Sequence, residues 1–148
     1  MFFYLQLRLW DLLKMKKKLF VISILAILAI GMSASYAADD LNTTTNLTKA
    51  VNDAQLQNKH IVLIFDQKDC YYCDLLKEDT LSDKNVISKL NESFITVIVD
   101  INEQPQLASQ YKVFGTPTTV FLDANQTQIG KIEGYVDAGE FLNHLKGM

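Results

Sequence analysis

The sequence predicts an α/β domain: a central mixed β-sheet flanked by helices on both faces. Three observations carry that reading. Ile61 to Phe65 and Phe94 to Val99 are runs of β-formers with the apolar character of strands covered on both sides. A helix-length stretch separates them, and a strand, helix and strand in that order form a right-handed parallel crossover. Two later strands, Thr118 to Leu122 and Thr127 to Tyr135, flank Asp123-Ala124-Asn125-Gln126, a run of turn formers that predicts an antiparallel hairpin.

Each element has its own warrant. Asp39 to Asn46 is polar and rich in Thr and Asn, so residues 38–46 read as a flexible lead. Leu47, Ala50, Val51, Ala54 and Leu56 mostly follow helical spacing up to Asn58, with Thr48 as a cap. Tyr71 to Leu90 is helical, with an interruption near Leu81-Ser82-Asp83, where Ser82 or Asp83 caps a second segment carrying Val86, Ile87 and Leu90. Glu103 to Tyr111 is another helix. The last helix starts at Asp137, whose carboxylate caps while Glu140 reaches back, and it buries Phe141, Leu142 and Leu145. The order is α-β-α-β-α-β-β-α, and residues 47–148 suit one domain with a single core.

The beginning of the chain has another character. Lys16, Lys17 and Lys18 precede an apolar run from Leu19 to Ile30 and small residues ending in Ser35-Tyr36-Ala37, the layout of a secretory signal. Residues 1–37 are therefore read as an export signal cleaved after Ala37. The apolar run is shorter than the roughly 20 residues that span a bilayer, although an uncleaved anchor stays open. Met15-Lys16-Lys17-Lys18-Leu19-Phe20 resembles the start of an ordinary signal, so Met15 is read as the true start.

Of 14 basic and 17 acidic residues, residues 1–37 hold five and one, which leaves nine basic against 16 acidic and a net −7. That balance argues against nucleic acid as a partner. The two cysteines of the chain, Cys70 and Cys73, both lie in the exported part, where disulfide chemistry is permitted. They are too close in sequence to staple a fold.

Two cysteines separated by two residues can close a small ring when the first sits at a helix N-terminus and the second lies one turn in. Free N–H groups and the helix dipole there stabilise a thiolate, which makes Cys70 the nucleophile and Cys73 the resolving thiol. The cycle needs no cofactor and no metal. Other uses of the motif leave traces of their own. Structural zinc takes four ligands, and the other nitrogen candidates are His60, at the far end of the preceding strand, and His144. Haem attachment needs histidine after the second cysteine, where Asp74 stands. An inert buried pair stays open. Phe65, Phe94 and Phe121 lie inside strand patterns and read as core, whereas Tyr111 and Phe114 are placed at the edge of the active-site face.

Cys70-Tyr71-Tyr72-Cys73 after the strand Ile61 to Phe65, with Gly115-Thr116-Pro117-Thr118 at the head of a later strand, resembles the thioredoxin superfamily over Leu47 to Leu145. Leu81-Ser82-Asp83-Lys84-Asn85-Val86 and Val113-Phe114-Gly115-Thr116-Pro117 make it most similar to exported, SoxW-like members and to the C-terminal domain of membrane thiol:disulfide interchange proteins. The resemblance implies the thioredoxin fold and a cis Pro117 facing the disulfide. It also implies substrate binding by Thr116 and Pro117, with Tyr71 and Tyr72 between the cysteines. On residues alone, Pro117 would also suit the start of an edge strand, and the CxxC upstream favours the functional reading. Two places depart from thioredoxin: Asp69 stands where it has tryptophan, and Ile64 where it has a buried aspartate that assists proton transfer. Lys68 favours the Cys70 thiolate and Asp69 and Asp74 oppose it, unless all three are merely solvated.

The expected activity is reduction of disulfides in exported proteins in the periplasm, with electrons from a membrane or periplasmic donor. An oxidase or isomerase, or a binding and assembly module with little redox turnover, are the alternatives.

Overall fold

The computed structural model describes residues 40–148. The export signal, its cleavage point and the start at Met15 lie outside the described residues. Eleven elements follow in order: β1 (Thr43–Thr44), α1 (Leu47–Gln57), β2 (His60–Asp66), α2 (Tyr71–Leu75), a π-helical turn (Leu76–Thr80), α3 (Lys84–Ser93), β3 (Phe94–Asp100), α4 (Pro105–Gln110), β4 (Thr118–Leu122), β5 (Gln128–Glu133) and α5 (Ala138–Leu145).

The five strands form one mixed sheet in the order β1-β3-β2-β4-β5. β2 runs parallel to β3, with Ile61 opposite Ile95, and antiparallel to β4, with Leu63 opposite Val120. β4 and β5 make the expected antiparallel hairpin. Side-chain alternation along β2 divides its apolar residues between two cores. Ile61, Leu63 and Phe65 pack with Ala50 and Ala54 of α1 and Ala108 of α4, while Val62 and Ile64 pack with Val86 and Leu90 of α3 and Phe141 and Leu145 of α5. Residues 61–65 are at most 1% exposed, and burying each such side chain contributes about 1.5–3 kcal/mol, so β2 is the axis of the domain.

Several expectations change in detail. The lead contains β1, whose Thr43 and Thr44 pair in parallel with Thr96 and Val97, and Leu41 packs on the second core. It is therefore tied to the sheet edge. α1 is capped by Asn46, which accepts from the Lys49 N–H, and not by Thr48; it ends at Asn58 in the left-handed conformation. The interruption in the long helical stretch begins earlier than expected, as the π turn, and Asp83 caps α3 by accepting from the Asn85 and Val86 N–H groups. α4 starts later, at Pro105, where a missing N–H is harmless. Tyr135 lies beyond β5, and Leu142 is only partly buried.

Candidate functional site

Cys70 and Cys73 meet at the C-terminal end of β2. Asp69 takes a left-handed conformation (φ 59°), which short polar residues tolerate, and turns the chain out of the strand into α2. Cys70 is the N-cap residue of α2: its sulfur accepts from the Cys73 N–H at 3.2 Å, and its carbonyl accepts from the Cys73 and Asp74 N–H groups. The two cysteines are joined as a disulfide, with Cα atoms 5.2 Å apart. Cys73 is 1% exposed and Cys70 9%, so Cys73 is the more deeply buried of the two.

The Thr116–Pro117 peptide bond, which is cis, brings a second segment to this disulfide. Thr116 Oγ1 lies 3.5 Å from Cys70 Sγ and can donate to it, and the Thr116 carbonyl oxygen lies 3.7 Å away. Sulfur in a disulfide carries no proton, so the latter is a contact; in the dithiol, Cys70 can donate there. Thr118 Oγ1 donates to the Gly115 carbonyl, and the Gly134 N–H donates to the Pro117 carbonyl, which fixes the bend from both sides. A shallow groove lies beside it, lined by Phe114, Thr116, Pro117, Glu133 and Gly134.

Of the aromatics, Tyr71 and Tyr72, between the two cysteines, are exposed and pack edge to face with ring centroids 5.3 Å apart. Phe114 is 94% exposed on the groove, as expected of an edge residue. Tyr111 is not at the site: it is buried against Phe65, and that burial raises its phenol pKa. Phe65, Phe94 and Phe121 are core. Lys68, Asp69 and Asp74 are exposed. Ile64 is packed in the second core, and the nearest carboxylate along the strand, Asp66, pairs with Lys77 Nζ at 2.5 Å. His60, at the opposite end of β2, sits beside Phe94.

Two features of the surroundings escaped the sequence. Tyr135 donates its hydroxyl to Asp79 at the end of the π turn, and this hydrogen bond to a carboxylate is the main cause of its raised pKa. Thr80, fully buried, donates to the Val136 carbonyl at 2.5 Å. Gly134, with a positive φ of 86°, ends the strand just before these partners. Among the described residues, no helix is long and apolar enough to cross a membrane, and no group of three or more His, Cys, Asp and Glu side chains is arranged to hold a metal ion.

A family model described as a thioredoxin-like domain matches residues 47–148. The thiol:disulfide interchange protein DsbD of Campylobacter jejuni is 29% identical over 119 residues, 78% of this chain and 21% of that protein. The chain thus spans about a fifth of the length of that relative. A thioredoxin from Thermus thermophilus superposes with a TM-score of 0.67 at 29% identity, covering 73% of this chain and 86% of the other. The DsbH oxidoreductase, at 22% identity and a TM-score of 0.65, covers 78% of this chain and 89% of its own and shares the fold. With its mixed five-stranded sheet and its Cys70–Cys73 pair, the chain belongs to the thioredoxin-like family.

Proposed function

We propose that the chain works outside the cytoplasm and reduces disulfides of exported proteins by dithiol-disulfide exchange. The observation that carries this reading is geometric: Cys70 caps α2 against the Thr116–Pro117 bend, and Cys73 is buried one turn behind it. In the dithiol, the Cys73 N–H and the Thr116 hydroxyl both favour a thiolate at Cys70, in addition to the free N–H groups of the helix start.

That thiolate attacks one sulfur of a substrate cystine. A Cys70–substrate bond forms, and the other substrate sulfur leaves as a thiolate. Cys73, having lost its proton to water, then attacks Cys70 Sγ, closes the internal disulfide and releases the second thiolate. The substrate gains two electrons and the cysteine pair loses them, so a dithiol donor, membrane-bound or periplasmic, must reopen the ring. An extended substrate segment pairs with the backbone of Thr116 and packs on Pro117, while Tyr71 and Tyr72 offer it exposed aromatic surface.

The export reading rests on Lys16 to Lys18, the apolar run after them and Ser35-Tyr36-Ala37, with residues 47–148 as the domain that does the work. The test is the equilibrium reduction potential of the Cys70–Cys73 pair in the full chain, by a glutathione series with thiol trapping. A value near ~−270 mV supports reduction; one above ~−150 mV reverses the direction to oxidation or isomerisation. A pair that never closes leaves a binding module.

A further inference from the structure

The helix that carries both cysteines does not run on regularly. After Leu75 it widens into a π turn, closed by the Leu81 N–H donating to the Leu76 carbonyl at 2.9 Å, and such insertions persist where something depends on the displaced residues. Here the displaced residues are Asp79 and Thr80. Thr80, with no exposed surface, donates to the Val136 carbonyl, and Asp79 accepts from the Tyr135 hydroxyl. Leu76 and Leu81, at the two ends of the turn, pack into the same core as Tyr135 and Val136, so these polar contacts rest on a fixed apolar base.

The partners of the π turn adjoin the other half of the site. Gly134, next to Tyr135, donates its N–H to the Pro117 carbonyl at 2.9 Å. Pro117 follows Thr116, whose hydroxyl lies 3.5 Å from Cys70 Sγ. Gly134, Tyr135 and Val136 thus form a strap with one end on the substrate-side bend and the other on the redox helix. The resulting circuit runs from Cys70 along the helix to Asp79 and Thr80, across the strap to Pro117 and Thr116, and back to Cys70. We propose that Thr80, Asp79 and Tyr135 are positioning residues that hold the Thr116–Pro117 bend in register with Cys70.

This rests on the disulfide-exchange reading of Cys70 and Cys73, and it adds where the site's spacing is set. A substrate strand must enter between Cys70 and the bend. If the bend is held in advance, binding need not spend free energy ordering it. Loosening the strap therefore weakens capture of a protein substrate and leaves the intrinsic reactivity of the cysteine pair toward a small disulfide unchanged.

The test uses the full chain and its Tyr135→Phe and Thr80→Val variants, with Thr80→Ser as the conservative control. Insulin, with dithiothreitol as the reductant, is the protein substrate, and oxidised glutathione is the small one. Loss of one such hydrogen bond is expected to raise KM for insulin about fivefold with kcat within about twofold, to leave the glutathione reaction unchanged, and to be rescued in Thr80→Ser. Amide hydrogen exchange at Gly134 is expected to speed up by a similar factor while that of Ile64 stays slow. Unchanged Gly134 protection, or faster exchange with an unchanged KM, would overturn the strap. A wild-type chain inert toward both disulfides would instead sink the exchange reading, and Gly134 protection would still decide whether the strap exists.

Discussion

Thr116 Oγ1 stands 3.5 Å from Cys70 Sγ, a contact between residues 46 positions apart that joins the bend before β4 to the start of α2. A hydroxyl donating to sulfur stabilises the thiolate more than the thiol, and hence lowers the pKa of the thiol. Replacing Thr116 with Val removes the donor at nearly constant volume. The Cys70 thiol pKa is expected to rise, read from the pH profile of alkylation of the reduced chain. A superimposable profile in the variant would remove Thr116 from the thiolate's environment.

The hairpin turn carries a second electrostatic device. Asp123 Oδ1 accepts from the Thr127 and Asn125 N–H groups at 2.8 Å each. The Thr127 backbone bond is the leading cause holding the Asp123 carboxyl below its usual value of 3.8, with the Asn125 bond and the His60 charge acting in the same direction. A depressed folded-state pKa means that the unfolded chain takes up the proton first. The contribution is complete above the unfolded value and is lost as pH falls through the folded one. Asp123→Asn should lower stability at neutral pH, and the gap to wild type should close as pH drops below about 4, measured by urea midpoints across pH. A gap independent of pH would assign the effect to turn geometry.

How far the sequence discloses this molecule depends on whether an element is specified by its own residues or by its neighbours. Ile61 to Phe65 needs no partner to read as a buried strand, and Asp137 with Glu140 reads as a helix start, as Asp137 accepting from the Glu140 N–H bears out. Thr43 and Thr44 have no such signature; only the free edge of β3 makes them a strand. Asn46, read from the sequence as part of the lead, caps α1 in place of Thr48, because both are good caps and helix phase alone separates them. Tyr111, amphipathic and near the bend, could have faced either way, and packing on Phe65 decided it. Cys70 and Cys73 were legible because their spacing is itself the chemistry. The Asp79–Tyr135 contact was not, since it depends on an inserted helical residue that leaves no periodic trace.

Phe121 is the center of the second core. It has no exposed surface, and its ring makes edge-to-face contacts with Phe94 at 5.9 Å and Phe141 at 6.0 Å between centroids. Those rings join β4 to β3 and α5. Phe121→Ala is expected to cost about 3–5 kcal/mol, from lost burial and the cavity left behind, a large share of a typical domain's stability. Equilibrium urea denaturation checks it. A loss below about 1 kcal/mol would mean that α5 collapses into the space.

The proposed exchange makes Cys70 the residue that meets the substrate, and the unequal burial of the two cysteines supports it. Cys70 is 9% exposed and borders the Thr116 bend, whereas Cys73 is 1% exposed and lies inside α2. On that reading an incoming cystine is attacked by Cys70 and not by Cys73. In Cys73→Ser the first attack proceeds but nothing resolves it, so the chain is expected to accumulate as mixed disulfides, visible as reducible higher-mass bands on non-reducing gels. Cys70→Ser should form none and should lose insulin reduction altogether. Accumulation in Cys70→Ser in place of Cys73→Ser would exchange the roles of the two thiols, and a Cys73→Ser chain free of adducts in the presence of insulin would mean that the pair does not engage a protein disulfide at all.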